Sequence, residues 1–297
     1  MRIVFAGSSG FLGGHLRARL AADGHDLVQL VRRPPSGPNQ HQWWPERGEL
    51  DPAALAGTDA VINLAGLGIE DKRWNDTVKR ELVASRVDPT GTLARTLAAM
   101  PSHERPRALL NASAIGYYGH TGDSTVDETG ANGAGFFPDL CRHWEDATEP
   151  ADAAGVRVVH LRTGLVLDGS GGLLRPFLLA FKAFVGGPLA GGRWWMSWIS
   201  MRDWTSAVAF LLASDIAGPV NLCGPDPVRN IEFTRALARV LHRPALFPVP
   251  TIGLRILLGE FATEAVADLR VAPSVLLGAG FTYADTDIES ALRTALA

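Results

Sequence analysis

Within the first thirteen residues a short apolar run, Ile3-Val4-Phe5-Ala6, ends on Gly7-Ser8-Ser9-Gly10-Phe11-Leu12-Gly13 and opens into a helical pattern. This G-x-x-G-x-x-G turn constrains the fold strongly, because each glycine answers a different steric demand. Gly7 supplies a tight turn, Gly10 lets the backbone approach a ligand, and Gly13 permits close packing of helix on strand. The N–H groups of such a turn, here those around Ser9, Gly10, Phe11 and Leu12, lie at a helix N-terminus, where the dipole favours negative charge. Strand, glycine turn and helix in that order read as the cradle of a dinucleotide pyrophosphate on a Rossmann-type domain.

The end of the second strand selects the nucleotide. Sites for NAD place an acid about 20 residues on, to hold the ribose 2′-hydroxyl, whereas NADP sites favour arginine. Here Leu27-Val28-Gln29-Leu30-Val31 is followed by Arg32-Arg33-Pro34, with no acid at the strand end. A guanidinium pairs bidentately with a 2′-phosphate and stacks on adenine, so Arg32 and Arg33 point to NADP(H). Small residues end a later strand at Asn63-Leu64-Ala65-Gly66, and these four are read as lining the cofactor groove.

Short apolar runs alternate with longer amphipathic stretches, the pattern of βαβ units around a buried parallel sheet. Strands are expected at 3–6, 27–31, 60–65, 108–112 and 156–161, with a short one at 42–44 inside a Pro- and Gly-rich loop. Helices are expected at 11–22, 76–100 and 137–153. Past Gly164 the alternation fades, and helices are expected at 204–214, 230–242 and 252–270, with a last one from Asp287. The fold expected is α/β. A Rossmann-type doubly wound parallel sheet occupies residues 1–166, later segments add to it, and a smaller substrate-side region covers 167–297.

A net charge of −3 over 297 residues offers no basic field to nucleic acid or to an acidic membrane surface. No apolar run nears the ~20 residues that span a bilayer, and the start lacks the plan of a signal peptide. Cys141 and Cys223 lie far apart and read as reduced thiols. No His/Cys/Asp cluster has metal-ligand spacing. A cytoplasmic protein with a small-molecule substrate is expected.

Further marks are Arg73-Trp74-Asn75, Ser85-Arg86, Ser113-Ala114-Ile115-Gly116-Tyr117-Tyr118-Gly119, Trp144-Glu145 and Leu161-Arg162-Thr163-Gly164-Leu165-Val166-Leu167. With the glycine turn and Asn63-Leu64-Ala65-Gly66, they make the chain similar to the extended short-chain dehydrogenase/reductase superfamily. Within it, the chain resembles the atypical, epimerase-like (YfcH-like) branch. The tail, through Val271-Ala272-Pro273 and Leu277-Gly278-Ala279-Gly280-Phe281, resembles the C-terminal domain of unknown function that marks this branch, at about residues 245–293. The resemblance spans essentially the whole chain. It implies an NADP(H)-dependent oxidoreductase or epimerase/dehydratase-like enzyme of unassigned reaction, with Glu81, Arg86 and Val166 also lining the cofactor.

In that superfamily the hydride chemistry uses Ser or Thr, Tyr and Lys, with Tyr and Lys four apart on one helix so that both face the cofactor. Counting back from Glu145 puts those two places at Phe137 and Cys141, so the pair is absent. What remains is Ser113 with Tyr117 or Tyr118. Either the serine and a phenol hydrogen-bond a carbonyl in a rearranged site, or the serine orders a turn and the tyrosines pack. The missing pair also admits a second class, a non-catalytic NADP(H)-binding redox sensor or scaffold. Trp194, Trp195 and Trp198, in a Gly-rich segment expected to overhang the cleft, read as an aromatic wall or as core. Asp203 reads as a helix N-cap.

Overall fold

The computed structural model describes every residue except 70–71, 173, 254–258 and 263–265. Strand β1 (Arg2–Ala6) sends Ile3 and Phe5 into one core and Val4 and Ala6 into another, all fully buried. A strand covered on both faces needs no polar alternation, which is why it reads as one apolar run. It is followed by β2 (Asp26–Val31), β3 (Gln40–Gln42), β4 (Ala60–Asn63), β5 (Ala108–Ala114) and β6 (Arg157–Thr163). Shorter strands come next: β7 (Leu165–Leu167), β8 (Trp195–Met196), β9 (Trp198–Ser200), β10 (Gly218–Leu222) and β11 (Val228–Arg229). The main sheet has seven strands in the order β10-β6-β5-β4-β1-β2-β3, parallel throughout. The doubly wound sheet expected from sequence is therefore present.

Helices whose bounds lie among the described residues are, in chain order, α1 (Phe11–Ala22), α2 (Asp76–Ala99), α3 (Phe136–Asp146), α4 (Glu149–Ala153), α5 (Leu174–Lys182), α6 (Met201–Ala213), α7 (Asn230–Leu241), α8 (Ser274–Gly278) and α9 (Ile288–Leu296). Leu16 and Leu20 of α1 and Trp204, Val208 and Leu211 of α6 cover one face of the sheet. Leu93 and Leu97 of α2 and Ala151 of α4 cover the other. The strand order reverses between β1 and β4, so their C-terminal ends part around a crevice, the usual ligand position in such sheets.

Several expectations need correction. The helix expected over 137–153 is two, α3 and α4, because Thr148 turns its hydroxyl onto the Glu145 carbonyl and breaks the run. The strand expected at 42–44 lies at Gln40–Gln42. β4 stops at Asn63, whose Oδ1 accepts the Ala65 N–H and turns the chain. Part of the helix expected over 252–270 lies outside the described residues; of the rest, 252–253 and 261–262 are helical, Gly259 and Glu260 form a turn, and 267–270 are irregular. Asp268 is pinned there by accepting the Trp195 N–H. The N-cap of α6 is Ser200, not Asp203, whose carboxylate accepts the N–H groups of Ala284 and Asp285. β10 adds a strand at the sheet edge that no apolar run announces, since it carries Pro219 and a buried Asn221. A third core joins α5, Trp194, Met196, Trp198, Phe233 of α7 and Leu292 of α9. Trp194 and Trp198 are therefore core residues.

Candidate cofactor and active site

Helix α1 begins with Gly10 as its N-cap; no side chain caps it and no acid stands in its first turn. Its opening N–H groups thus have no partner within the helix and are free to meet an anion. Gly7 has φ +80°, and a Cβ on it would lie 2.5 Å from the Leu64 carbonyl carbon. A Cβ on Gly13 would lie 2.1 Å from the Gly7 carbonyl oxygen. These two glycines close the turn. Gly10 differs: at φ −72° its backbone suits any residue, and a Cβ would touch only the Gly7 carbonyl oxygen, at 3.5 Å. Its bareness serves the exposed space outside the turn, where a side chain would intrude on a diphosphate. The residues present fit that group. Ser9 is exposed beside it, while the Phe11 ring lies under Gly171 and Gly172 and Leu12 leans on the core.

Arg32 and Arg33 are exposed directly after β2. Arg33 donates to the Pro34 carbonyl and to Ser36 Oγ, both at 3.2 Å, while nothing among the described residues engages the Arg32 guanidinium. On the opposite side of the crevice Leu64, Ala65 and Gly66 leave β4. Asn63 itself is fully buried and donates to Asn111 Oδ1 (2.7 Å) and Thr90 Oγ1 (3.0 Å), so it shapes the loop from below. Arg86 ties the same loop to α2 through the Leu67 carbonyl (2.9 Å) and stacks on Trp144, packing beside Gly66. It forms no ion pair among the described residues, and burial lowers its pKa to about 10. Glu81, half-exposed, pairs with Lys72 at 2.7 Å. Val166, on β7, is buried in the first core.

Past the crevice, the end of β5 carries a polar network inside an apolar surround. Ser113 donates to Glu145 Oε1 at 2.6 Å. Arg162 grips the same carboxylate bidentately, Nε to Oε1 at 2.9 Å and Nη2 to Oε2 at 2.8 Å, and His160 Nδ1 stands 3.5 Å from Oε2. Burial alone would push Glu145 upward; the hydrogen bonds of Arg162 and then His160 outweigh it and hold the carboxyl at about 2. It is an anion at every working pH.

The two tyrosines separate here. Tyr118 is buried, donates to Asn221 Oδ1 (2.8 Å) and accepts from Arg162 Nη1 (2.9 Å). Tyr117 is half-buried, lays its ring 3.6 Å from the Arg162 guanidinium, and its hydroxyl bonds nothing among the described residues. Only Tyr117 has a phenolic proton to spare. Burial pushes Tyr118 up to about 12 against the pull of Arg162, and Tyr283 is raised likewise. Because its folded pKa lies above the free value, Tyr118 adds stability that is full below pH ~10 and lost as pH climbs towards ~12. Tyr118→Phe is expected to leave unchanged the phenolate absorbance gained between pH ~7 and ~11. A marked fall in that absorbance would show Tyr118 titrating freely.

Helix α3 sets Phe137 and Cys141, the two positions reached by counting back from Glu145, on successive turns. Cys141 is fully buried, and that burial, followed by the nearby Glu145 charge, raises its thiol to about 12. Phe137 packs on Gly116 and joins Phe136 and Phe261 around Trp74, with ring centroids 5.2–5.4 Å from it. This cluster packs beside the β5 end, with Ala112, Ala114 and Tyr117 against it. Trp195 instead carries Arg229 and Arg270 on its ring. His120 accepts the Asp268 N–H, His143 is exposed, and Arg202 pairs with Asp285. No group of His, Cys, Asp or Glu suited to a metal occurs among the described residues.

Glu145, Arg162, His160 and Asn221 were not read as functional from sequence. One signal was there: His160 and Arg162 alternate with Val159 and Leu161 along a strand that must be buried. A buried cation calls for an acid partner.

The profile of the NAD dependent epimerase/dehydratase family matches residues 3–134, and that of a domain of unknown function, DUF1731, matches residues 249–295. An epimerase family protein of Mycobacterium bovis is 44% identical over 292 residues, 98% of this chain and 96% of its own length. The chain belongs to the NAD dependent epimerase/dehydratase family. A chloroplastic member from Arabidopsis thaliana is 34% identical over 304 residues, 99% of this chain and 86% of its own. The epimerase family protein SDR39U1 of human, solved with NADPH, superposes with a TM-score of 0.90 at 29% identity, covering 99% of each chain. Among the described residues no helix is long and apolar enough to cross a membrane.

Proposed function

We propose that this epimerase-family protein binds NADP(H) along the crevice between the Gly7–Gly13 turn and the Leu64–Gly66 loop, and acts on a small molecule as an oxidoreductase or epimerase. The observation that carries this is the uncapped start of α1, bare at Gly10, with the unengaged Arg32 at the end of the neighbouring β2. The NADPH-bound human relative supports the same reading. The α1 amides, with Ser9, hold the diphosphate, and Arg32 and Arg33 take the 2′-phosphate. Glu81, Arg86 and Val166 border the site. When bound, the nicotinamide supplies hydride chemistry. Tyr117 is then the acid or base, since Tyr118 is saturated and positions 137 and 141 carry no exchangeable charge.

Titration of NADPH and NADH against the wild type and an Arg32→Ala/Arg33→Ala variant tests the nucleotide. The preference for NADPH should fall roughly 100-fold in the variant, about 2.7 kcal/mol, with NADH affinity unchanged. Equal loss for both nucleotides would remove the basis for NADP(H).

The second reading, a non-catalytic NADP(H)-responsive sensor or scaffold, is favoured by Phe137 and Cys141 alone. A substrate screen following nicotinamide absorbance separates the two. Turnover that Tyr117→Phe abolishes supports the enzyme, and cofactor binding without turnover supports the sensor.

A further inference from the structure

Two segments far apart in sequence meet on the ring of Phe11. Phe11 is the first residue of α1, so its N–H is one of the opening amides, and its ring carries Gly171 and Gly172 of the loop that follows β7. We propose that this loop, residues 168–172, is a clasp over the dinucleotide: it walls the diphosphate from outside, is latched to α1 by His15, and lifts from Phe11 when the nucleotide leaves. The proposal rests on the NADP(H) reading above and deepens it.

A Cβ on Gly171 would lie 2.9 Å from Phe11 Cδ2, and one on Gly172 would lie 3.0 Å from Phe11 Cε1. The two glycines thus bear on different edges of one ring, and neither tolerates a side chain while the ring stays in place. Their N–H groups have no backbone or side-chain partner among the described residues, which leaves two donors beside the α1 amides for the same anion. The β7 end of the loop is fixed, with Leu167 fully buried and the Gly169 N–H donating to the Ala295 carbonyl at 2.8 Å.

The far end is held by polar groups alone. Ser170 gives Asp168 Oδ1 both its N–H, at 2.8 Å, and its hydroxyl proton. His15, one turn beyond Phe11 on α1, brings Nε2 to 3.4 Å from Ser170 Oγ and 3.8 Å from Asp168 Oδ1. Its ring also stands edge-on to Phe11, with centroids 5.6 Å apart. Beside the latch lies a hollow of about 270 Å³, lined by His15, Asp168, Arg202, Thr205 and Thr294 among others. Few apolar contacts, a solvent-exposed Ser170 and open space alongside make this end of the loop the cheap one to release, as a lid that opens at each exchange of ligand requires. His15 is a positioning residue in this scheme, acting through the loop.

Stopped-flow displacement of bound NADPH by excess NADP⁺, followed by NADPH fluorescence, tests the clasp on the whole chain, on His15→Ala and on Gly171→Val. The same proteins are titrated with 2′-AMP, which carries the 2′-phosphate but no diphosphate and so reports on the rest of the site. NADPH should leave each variant roughly tenfold faster, with 2′-AMP affinity unchanged. His15→Ala removes a partly exposed side chain from a helix surface, so it decides the matter even where Gly171→Val does not fold. An off-rate in His15→Ala within about twofold of the wild type overturns the clasp. A loss of 2′-AMP affinity to match the faster release also overturns it, because the whole site would then be distorted. A wild-type chain that binds no NADPH removes the NADP(H) reading itself, whereas NADPH binding with unaltered release in His15→Ala removes the clasp and leaves that reading standing.

Discussion

Gly10→Ala is expected to leave the protein as stable as the wild type and to weaken NADPH binding on the order of 100-fold, about 2.7 kcal/mol. The backbone at Gly10, φ −72° and ψ 175°, accepts alanine without strain, and the new methyl meets only an ordinary contact at 3.5 Å. Nothing in the fold resists it. What it occupies is the outer side of the turn, where a diphosphate must come within hydrogen-bond reach of the α1 amides. Gly7→Ala and Gly13→Ala should behave in the opposite way. At Gly7 the left-handed backbone and a 2.5 Å approach to Leu64 act together; at Gly13 the methyl would lie 2.1 Å from a backbone oxygen. Each should cost at least about 3 kcal/mol of stability, beyond the range of a surface change. Thermal unfolding with and without NADPH separates the classes. If Gly10→Ala lowers the melting temperature as far as Gly7→Ala does, the glycine is structural and the cradle argument fails.

That contrast marks how far the sequence was legible. The steric reason for a glycine is written into the chain where local geometry demands it, so the turn, its flanking strand and its helix were readable from residues 3–22. The same holds for the parallel core: Val61-Ile62 and Leu109-Leu110 are buried on both faces and advertise it. Legibility ended where a residue's meaning depends on a distant partner. The sequence around Ser113 leaves open whether it meets a carbonyl or orders a turn, because its neighbours say nothing of Glu145, 32 residues on, to which it donates. Tyr117 and Tyr118 are adjacent in sequence, yet one is saturated by Asn221, 103 residues away. The density of tryptophans at 194–198 is visible in the sequence but leaves wall and core open, whereas Trp74 gains its aromatic neighbours only from Phe136, Phe137 and Phe261, brought in from two other segments. β10 escaped for the converse reason, since its buried Asn221 serves that same network and spoils the apolar run.

The network also carries the largest stability effect to be expected. Arg162→Met removes the cation from a pair in which neither side chain reaches solvent to any extent. Breaking one side of a buried pair leaves an uncompensated charge, which costs about 3–5 kcal/mol. The pH dependence gives the effect its signature. In the wild type the Glu145 carboxyl is depressed from 4.5 to about 2, so its contribution to stability is full above pH ~4.5 and is lost as pH falls towards ~2. In Arg162→Met the burial that already opposes ionisation is no longer outweighed, and the carboxyl moves up and takes a proton instead. The gap between the two proteins should therefore be widest near neutral pH and narrow on acidification. Urea unfolding at pH ~7 and pH ~4, followed by tryptophan fluorescence, measures it. Arg162→Lys should recover only part of the loss, because an ammonium keeps the charge but cannot hold both carboxylate oxygens in a fixed fork. A cost below about 1 kcal/mol in Arg162→Met, or a gap that does not change with pH, would mean that Glu145 finds other partners.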